Sequence, residues 1–188
     1  MGKLIFISGG VSSGKSDFAE KLCSEFGGKT LYIATSIPFD EEMKAKKKKH
    51  IDKRASKNWD TLEKYSQLYK EVENIDKNYD TVLLDCITMM VSNLIFHNDY
   101  DFDAANIEAA EKKSEMVIEE ACKLIDNIKK TELNFLVVTN EIGLGGISEN
   151  RLTRYFAELC GKVNQMFAQA SDDAYFVVSG IPVKIKEN

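Results

Sequence analysis

Apolar runs rich in β-branched and aromatic residues alternate along the chain with segments whose apolar positions recur every three or four residues. The runs predict buried β-strands, and they lie at Leu4–Ser8, Thr30–Thr35, Thr81–Cys86, Phe135–Thr139 and Ala174–Ser179. The helical spacing is clearest from Ile107 to Ile128 and from Leu152 to Phe167. This alternation predicts right-handed β-α-β units, and therefore a mainly parallel sheet with helices on both faces.

The carboxyl-terminal segment carries a proline inside a short apolar pattern. Gly180-Ile181-Pro182 followed by Val183-Lys184-Ile185 predicts a turn into a short edge strand, where proline is tolerated. The chain has 188 residues, of which 44% are hydrophobic. It is therefore long enough to bury one core and too short for two ordinary domains. Residues 1–188 are predicted to form a single α/β domain.

The loop after the first predicted strand has the composition of a phosphate-binding loop. Its residues, Gly9-Gly10-Val11-Ser12-Ser13-Gly14-Lys15-Ser16, match the pattern G-x-x-x-x-G-K-[ST]. The glycines allow backbone N–H groups to turn inward, the helix that begins near Lys15 directs its positive end at the phosphates, and Lys15 adds a point charge. Ser16 offers a hydroxyl to Mg²⁺. A nucleoside triphosphate, GTP or ATP, is the expected ligand.

Polar residues close the predicted strands, and ligands of open α/β sheets bind beyond these ends. Asp85 follows the apolar Val82-Leu83-Leu84 and has the position of a carboxylate that holds Mg²⁺ opposite Ser16. An ordinary strand-end cap is the other interpretation of Asp85. Asn140 and Glu141 precede a segment rich in glycine, which is typical of a mobile substrate loop and equally of a plain connection.

The segment from Asp40 to Glu63 is rich in charge, with acidic residues first and a run of lysines before His50. Taken alone, it is typical of a solvated charged helix, because this order of charges complements the helix dipole. His50 differs, since surrounding cations bias its imidazole toward the neutral form that can attack phosphorus. His97 follows an apolar helix, lacks such surroundings and is predicted to be structural.

Charge, cysteine usage and hydropathy exclude several classes of protein. A net charge of −5 at pH 7 argues against a nucleic-acid binder that works through bulk electrostatics. The four cysteines are far apart, so neither a zinc site nor a disulfide framework is predicted; they are Cys23, Cys86, Cys122 and Cys160. Neither a basic-then-apolar leader nor an apolar run of about eighteen residues occurs. A cytoplasmic protein without a membrane span is therefore expected.

A set of short motifs, spread over nearly the whole chain, recurs in one known family. In chain order the motifs are Gly9-Gly10-x-x-Ser13-Gly14-Lys15-Ser16, Tyr32-Ile33-Ala34-Thr35-Ser36, Glu42-Met43, His50 with Arg54, Trp59-x-Thr61-x-Glu63, Leu84-Asp85-Cys86-Ile87-Thr88 with Asn93-Leu94, Val138-x-Asn140-Glu141-x-Gly143 with Gly145, Glu149-Asn150-Arg151, Gly161-x-Val163-Asn164-Gln165 and Val178-Ser179-Gly180. The joint set resembles the bifunctional adenosylcobinamide kinase/adenosylcobinamide-phosphate guanylyltransferase family of cobalamin biosynthesis. The specificity of this resemblance comes from the whole set of motifs, because many families share the phosphate loop.

The resemblance implies two activities on one RecA-like P-loop NTPase domain: phosphorylation of adenosylcobinamide by a nucleoside triphosphate, then transfer of GMP from GTP onto adenosylcobinamide phosphate. It implies a covalent guanylyl-histidine on His50 and a homotrimer. Lys15 and Asp85 join His50 as expected catalytic residues, and Ser16 and Asp85 are the expected Mg²⁺ ligands. The implied nucleotide-binding residues are Gly9, Gly10, Val11, Ser12, Ser13, Gly14, Lys15, Ser16, Ala34, Thr35, Ser36, Ile51, Asp52, Lys53, Arg54, Glu63 and Asp85.

The chain departs from the family pattern at three places. Ser12 stands where an arginine is common, the stretch before His50 is nearly all lysine, and Gly146-Ile147-Ser148 lacks a proline often found there. None of these departures removes a residue with an implied role, but the first alters the phosphate loop itself.

The residues do not identify the general base, and they are compatible with two other functions. Candidates for the base that acts on the cobinamide hydroxyl are, in falling order, Asp85, Glu63 and Glu141. A P-loop kinase of another small molecule would keep the phosphate loop and Asp85 without needing His50. A non-catalytic GTP-sensing module would bind nucleotide with little turnover.

Overall fold

One mixed sheet is the framework of the computed structural model, which describes residues 2–37, 57, 59–75, 78–96 and 107–187. Within these residues the strands are β1 (Leu4–Gly9), β2 (Thr30–Ala34), β3 (Trp59–Glu63), β4 (Thr81–Asp85), β5 (Asn134–Asn140), β6 (Asp173–Val178) and β7 (Ile181–Glu187). Their order is β3-β2-β4-β5-β1-β6-β7. Strand β7 is antiparallel to β6, whereas all the other pairings are parallel. The predicted mainly parallel sheet and carboxyl-terminal edge strand are confirmed.

Helices pack on both faces of this sheet, as predicted. Within the described residues they are α1 (Lys15–Phe26), α2 (Leu68–Glu73), α3 (Ile87–Phe96), α4 (Ile107–Ile128) and α5 (Arg151–Ala170). Helix α1 packs on one face through Ala19 and Cys23. The other helices build the larger core on the opposite face, where Leu124 and Phe167 are fully buried. None of the described helices is long and apolar enough to cross a membrane.

The central strands are buried on both faces because helices cover both. All six residues of β1 are buried. Successive side chains point to opposite faces, so Ile5 and Ile7 join the α1 cluster while Leu4 and Phe6 join the larger core. Because the central strands are buried, their polar and charged side chains can meet a ligand mainly at the strand ends. In open α/β sheets, ligands bind at the carboxyl ends of the strands.

Strand β3 shows that the charged-helix prediction for Asp40–Glu63 is wrong at its carboxyl end. This outer strand pairs in parallel with β2, from Trp59 beside Thr30 to Glu63 beside Ala34. An edge strand has a neighbour on one side only and therefore tolerates charged residues. Apart from Lys57, the rest of the charged segment lies outside the described residues.

Candidate active site

The phosphate loop lies at the carboxyl edge of the sheet, between the end of β1 and the start of α1. Within it the N–H of Ser13 donates to the carbonyl of Gly10 (3.2 Å), and the N–H of Phe18 donates to the carbonyl of Gly14 (3.0 Å). Gly14 has a φ of 91°, a left-handed conformation that glycine adopts without strain. A Cβ at Gly14 would also lie 3.1 Å from the Cα of Gly180. The loop is a tight turn that requires glycine at this position.

Two neighbouring connections hold the phosphate loop from either side. After β5, the N–H of Glu141 donates to the carbonyl of Gly9 (3.0 Å), and in the turn between β6 and β7 the N–H of Gly180 donates to the carbonyl of Ser13 (2.8 Å). Strands β5 and β6 are the two neighbours of β1. The position of the loop is therefore fixed by backbone contacts to both adjoining strands.

Lys15 is buried at the start of α1, with 8% of its surface exposed. Its Nζ donates to the carbonyl of Gly10 at 3.0 Å. Burial lowers the pKa of Lys15, while the negative charge of nearby Asp85 acts in the opposite direction. An ammonium held inside the loop in this way is placed to neutralise phosphate oxygens seated there.

Asp85 ends β4 and is partly exposed at the same edge of the sheet. The hydroxyl of Tyr32, a buried residue of β2, donates to Oδ2 of Asp85 at 3.1 Å. Strand β5 separates β4 from β1, so the strand ends that carry Asp85 and the phosphate loop are about 10 Å apart. Metal-bound phosphates are large enough to bridge that spacing.

Thr35 holds the peptide that follows Asp85. Its Oγ1 accepts from the N–H of Cys86 (2.8 Å) and donates to the carbonyl of Cys86 (2.7 Å), while Asn93 Nδ2 donates to the carbonyl of Thr35 (2.7 Å). Thr35 is 1% exposed, so its hydroxyl is committed to Cys86 and faces no solvent. Burial, reinforced by the charge of Asp85, raises the pKa of the Cys86 thiol to about 12, which keeps this thiol neutral.

A second buried network supports the end of β5, and sequence reasoning assigned it no role. The hydroxyl of Thr139 donates to Oδ1 of Asn164 in α5 (2.8 Å) and lies 3.1 Å from the hydroxyl of Thr88. Thr88 accepts from the N–H of Asn140 (2.8 Å), and Asn164 donates to the carbonyl of Asn140 (3.3 Å). Each of the three elements, α3, β5 and α5, carries a polar residue at a position that faces the core, and this pattern is the signal that the sequence offers. The network fixes Asn140 between Asp85 and the phosphate loop.

The other residues predicted to bind nucleotide fall into two groups. Ala34 pairs with both Glu63 and Asp85 across the ladder, so the structure brings these three residues and Ser36 to the edge that carries the phosphate loop. A second group lies outside the described residues: His50, Ile51, Asp52, Lys53 and Arg54, together with His97.

The described residues offer hard oxygen donors for a metal ion, namely the hydroxyl of Ser16 and the carboxylate of Asp85. Among the described residues, no group of three or more His, Cys, Asp or Glu side chains is arranged to hold a metal. Mg²⁺ fits such a sparse set, because it is commonly bound by one or two protein oxygens together with substrate phosphates and water. The donor chemistry of this edge is therefore compatible with Mg²⁺ carried by a nucleotide.

Comparison with solved structures bears on the fold. The crystal structure of the RadB recombinase superposes on this chain with a TM-score of 0.51 at 16% sequence identity, covering 93% of this chain and 73% of that chain. At this identity the likeness concerns the fold alone, and it agrees with the predicted α/β fold.

Comparison with known sequences identifies the family. The family model described as cobinamide kinase / cobinamide phosphate guanyltransferase matches residues 5–185. The bifunctional adenosylcobalamin biosynthesis protein CobU of Escherichia coli K12 is 38% identical over 97% of this chain and 99% of its own length. The protein of the same name from Salmonella typhimurium LT2 is 39% identical, also over 97% of this chain and 99% of its own length. The chain therefore belongs to the cobinamide kinase / cobinamide phosphate guanyltransferase family, and it is a transferase.

Proposed function

We propose that this chain phosphorylates adenosylcobinamide with ATP or GTP and then transfers GMP from GTP onto the resulting phosphate, giving adenosyl-GDP-cobinamide. The observation that carries the proposal is the buried Lys15 inside a phosphate loop that shares one sheet edge with Asp85. Membership of the family supports the choice of substrates, since its relatives are named bifunctional adenosylcobalamin biosynthesis proteins.

In the kinase step, the cobinamide hydroxyl attacks the γ-phosphorus of the triphosphate, and the bond to the β-phosphate oxygen breaks. Phosphoryl transfer of this kind depends mainly on positioning and charge neutralisation. Lys15 and the backbone N–H groups that the loop leaves for a ligand would supply both for the phosphates. Ser16 and Asp85 would hold Mg²⁺, which when bound neutralises developing charge on the phosphate oxygens.

In the guanylyl step, a ring nitrogen of His50 attacks the α-phosphorus of GTP and releases pyrophosphate, leaving a phosphoramidate. The phosphate of adenosylcobinamide phosphate then attacks the same phosphorus and frees the histidine. The cations around His50 in the sequence support this role, because they favour a neutral imidazole and stabilise phosphate charge. The family resemblance supports the same residue.

We favour Glu141 over Asp85 and Glu63 as general base for the cobinamide hydroxyl, because its backbone lies beside the phosphate loop. Its N–H bonds Gly9 directly, whereas Glu63 ends β3, four strand spacings from β1 and so about 20 Å away. Asp85 is assigned to the metal. This choice puts first the carboxylate that the sequence put last.

A homotrimer, which the family resemblance implies, is part of the same proposal. Strand β7 is an outer strand of the sheet, and its Val183 and Ile185 are exposed. Exposed apolar side chains on an edge strand are suited to a contact between chains.

We expect His50→Ala to abolish a covalent GMP adduct and guanylyl transfer while leaving substantial kinase activity, because only one half-reaction uses the imidazole as a nucleophile. The measurement is incubation with GTP labelled at the α-phosphorus, followed by acid and alkali, since a phosphoramidate is lost in acid and survives alkali. His97→Ala is the control and should retain both activities within a few-fold. Labelling that persists in His50→Ala would contradict the assignment, and wild-type protein that is never labelled favours a kinase of another small molecule.

Lys15→Ala should depress both half-reactions, because both seat a triphosphate in the same loop. Loss of one charge-assisted phosphate contact costs about 1.5–3 kcal/mol, which corresponds to roughly ten- to hundredfold in kcat/KM. Separate assays of phosphorylation and of pyrophosphate release measure the two effects. Lys162→Ala, which removes an exposed lysine paired with Glu158 on α5, is the control. A wild-type rate of guanylyl transfer in Lys15→Ala would require a second GTP site.

Asp85→Asn should raise the Mg²⁺ concentration that gives half-maximal rate and lower kcat, because it keeps the shape and removes the charge. Tyr32→Phe should move both values in the same direction by a smaller factor, since it deletes only the hydroxyl that orients the carboxylate. Titration of rate against Mg²⁺ measures both.

Tyr79→Phe is the matched control for the Asp85 series, because it deletes a tyrosine–carboxylate hydrogen bond, to Asp60, away from the carboxyl edge. It should leave the Mg²⁺ dependence unchanged. An unchanged half-maximal Mg²⁺ concentration and kcat in Asp85→Asn would show that Asp85 is an ordinary strand-end cap.

Light scattering coupled to gel filtration should give a mass near three times the 21.2 kDa of one chain. Val183→Lys should lower that mass if β7 forms the contact, because a buried unpaired ammonium is strongly unfavourable. A wild-type mass of one chain at micromolar concentration contradicts the homotrimer.

A further inference from the structure

Asn140 ends β5 and has no role in the two reaction steps described above. Strand β5 lies between β1 and β4, and the register places Asn140 beside Gly9 at the start of the phosphate loop. Neighbouring strands are about 5 Å apart, so Asn140 is about 5 Å from each of the strands that lead to the phosphate loop and to Asp85. It therefore lies between the two groups expected to hold the phosphates and the metal.

The side chain of Asn140 lies on the same face of the sheet as those groups. Val138 packs in the cluster on the α1 face, and alternation along β5 brings Asn140, two residues later, to that face. Leu83 packs in the same cluster, so alternation along β4 brings Asp85 to that face as well. Helix α1, which begins at Lys15, covers this face. Asn140, Asp85 and Lys15 therefore meet on one side of the edge.

The amide of Asn140 lies close to both charged groups. Its Nδ2 is 3.9 Å from Sγ of Cys86, a weak acceptor, and among the described residues this amide forms no other hydrogen bond. Burial and the carboxylate of Asp85 raise the pKa of that thiol, whereas the ammonium of Lys15 lowers it, so both charges lie near the sulfur that Asn140 contacts. Asn140 is partly exposed, and a ligand at this edge can therefore reach its remaining donor.

Two buried side chains hold the backbone of Asn140. Thr88 accepts from its N–H (2.8 Å), and Asn164 donates to its carbonyl (3.3 Å). The hydroxyl of Thr139 links the two, since it donates to Asn164 and lies 3.1 Å from the hydroxyl of Thr88. Side chains that contact a substrate are commonly held in place by such supporting hydrogen bonds. The network therefore gives the Asn140 amide a fixed position at the edge.

We propose that Asn140 is a further nucleotide-binding residue, whose side-chain amide donates a hydrogen bond to an oxygen of the γ-phosphate. This inference rests on the proposed function. In a phosphate loop the backbone holds the α- and β-phosphates and the lysine reaches the β- and γ-phosphates, while a bound Mg²⁺ bridges β- and γ-phosphate oxygens. The γ-phosphate is therefore expected between Lys15 and Asp85, which is where Asn140 lies. Hydrogen bonds to charged phosphate oxygens are strong, so the amide would help to hold the phosphoryl group during transfer.

The test measures the dissociation constants of ADP and of the β,γ-imido analogue of ATP, each with Mg²⁺, in wild-type protein, Asn140→Ala and Asn140→Leu. Both variants remove the amide, and leucine keeps the branched shape of asparagine. Each should weaken binding of the triphosphate analogue about ten- to hundredfold, the range for loss of one hydrogen bond to a charged group. Binding of ADP should stay within twofold, because ADP has no γ-phosphate. Asn134→Ala is the control at the other end of β5, where its Oδ1 accepts from the N–H of Lys3, and it should leave both constants unchanged.

Thr88→Val tests the positioning role of the buried network, because it removes the hydroxyl that accepts from the N–H of Asn140. It should weaken binding of the triphosphate analogue by a smaller factor than Asn140→Ala and leave binding of ADP within twofold. Thr81→Val is the matched control, since Thr81 is also buried and its hydroxyl has no hydrogen-bond partner within the described residues. It should leave both dissociation constants unchanged.

An equal loss of affinity for both nucleotides in the Asn140 variants overturns the proposal, because Asn140 would then support the loop and not contact the γ-phosphate. Unchanged affinity for both nucleotides also overturns it. If neither Asn140 variant folds, Thr88→Val decides: a loss confined to the triphosphate analogue supports the contact, and any other result overturns it. Failure of the proposed function is distinguishable, because neither affinity depends on adenosylcobinamide. Wild-type protein that binds the triphosphate analogue and does not phosphorylate adenosylcobinamide contradicts that function alone.

Discussion

Parallel pairing of β1 with β5, and of β5 with β4, is the constraint on which the site depends. The register places Gly9 beside Asn140 and Asp85 beside Val138, so the three strands end at one edge in a shallow step. A shift of one residue would turn every side chain of the shifted strand to the opposite face. The apolar burial of β1, β4 and β5 therefore selects the register, and the hydrogen bonds between the strands set the spacing between the phosphate loop and Asp85.

Buried hydrogen bonds fix the conformation of the strand ends, which apolar packing alone does not determine. Thr35 bonds both backbone groups of Cys86, and Asn164 bonds both Thr139 and the carbonyl of Asn140. A buried hydrogen bond contributes only about 1 kcal/mol net, yet leaving one partner unpaired costs about 1–3 kcal/mol. These hydrogen bonds therefore disfavour other conformations of the edge more than they contribute to the stability of the fold. A site that positions phosphates needs such a fixed conformation.

The sequence predicted the buried strands well because their apolar runs carry a local signal. It failed at β3, where Asp60, Thr61 and Glu63 are exposed and the strand is defined by hydrogen bonds to β2. The short helix α2 was not predicted, since six residues carry too little periodicity. Asp85 was placed correctly at a strand end. The Thr35 hydroxyl forms its hydrogen bonds with Cys86, a residue 51 positions away along the chain. No local pattern in the sequence indicates that contact.

The described carboxyl edge of the sheet has one phosphate loop for the two proposed reactions. Under the proposed function, each reaction seats a triphosphate in Gly9–Ser16, so the two nucleotides must occupy the loop in turn. The acceptor must return to the same loop with its hydroxyl replaced by a phosphate. The site must therefore accept the acceptor in two chemical states, while Lys15 and the backbone of the same loop bind the phosphates of both nucleotides.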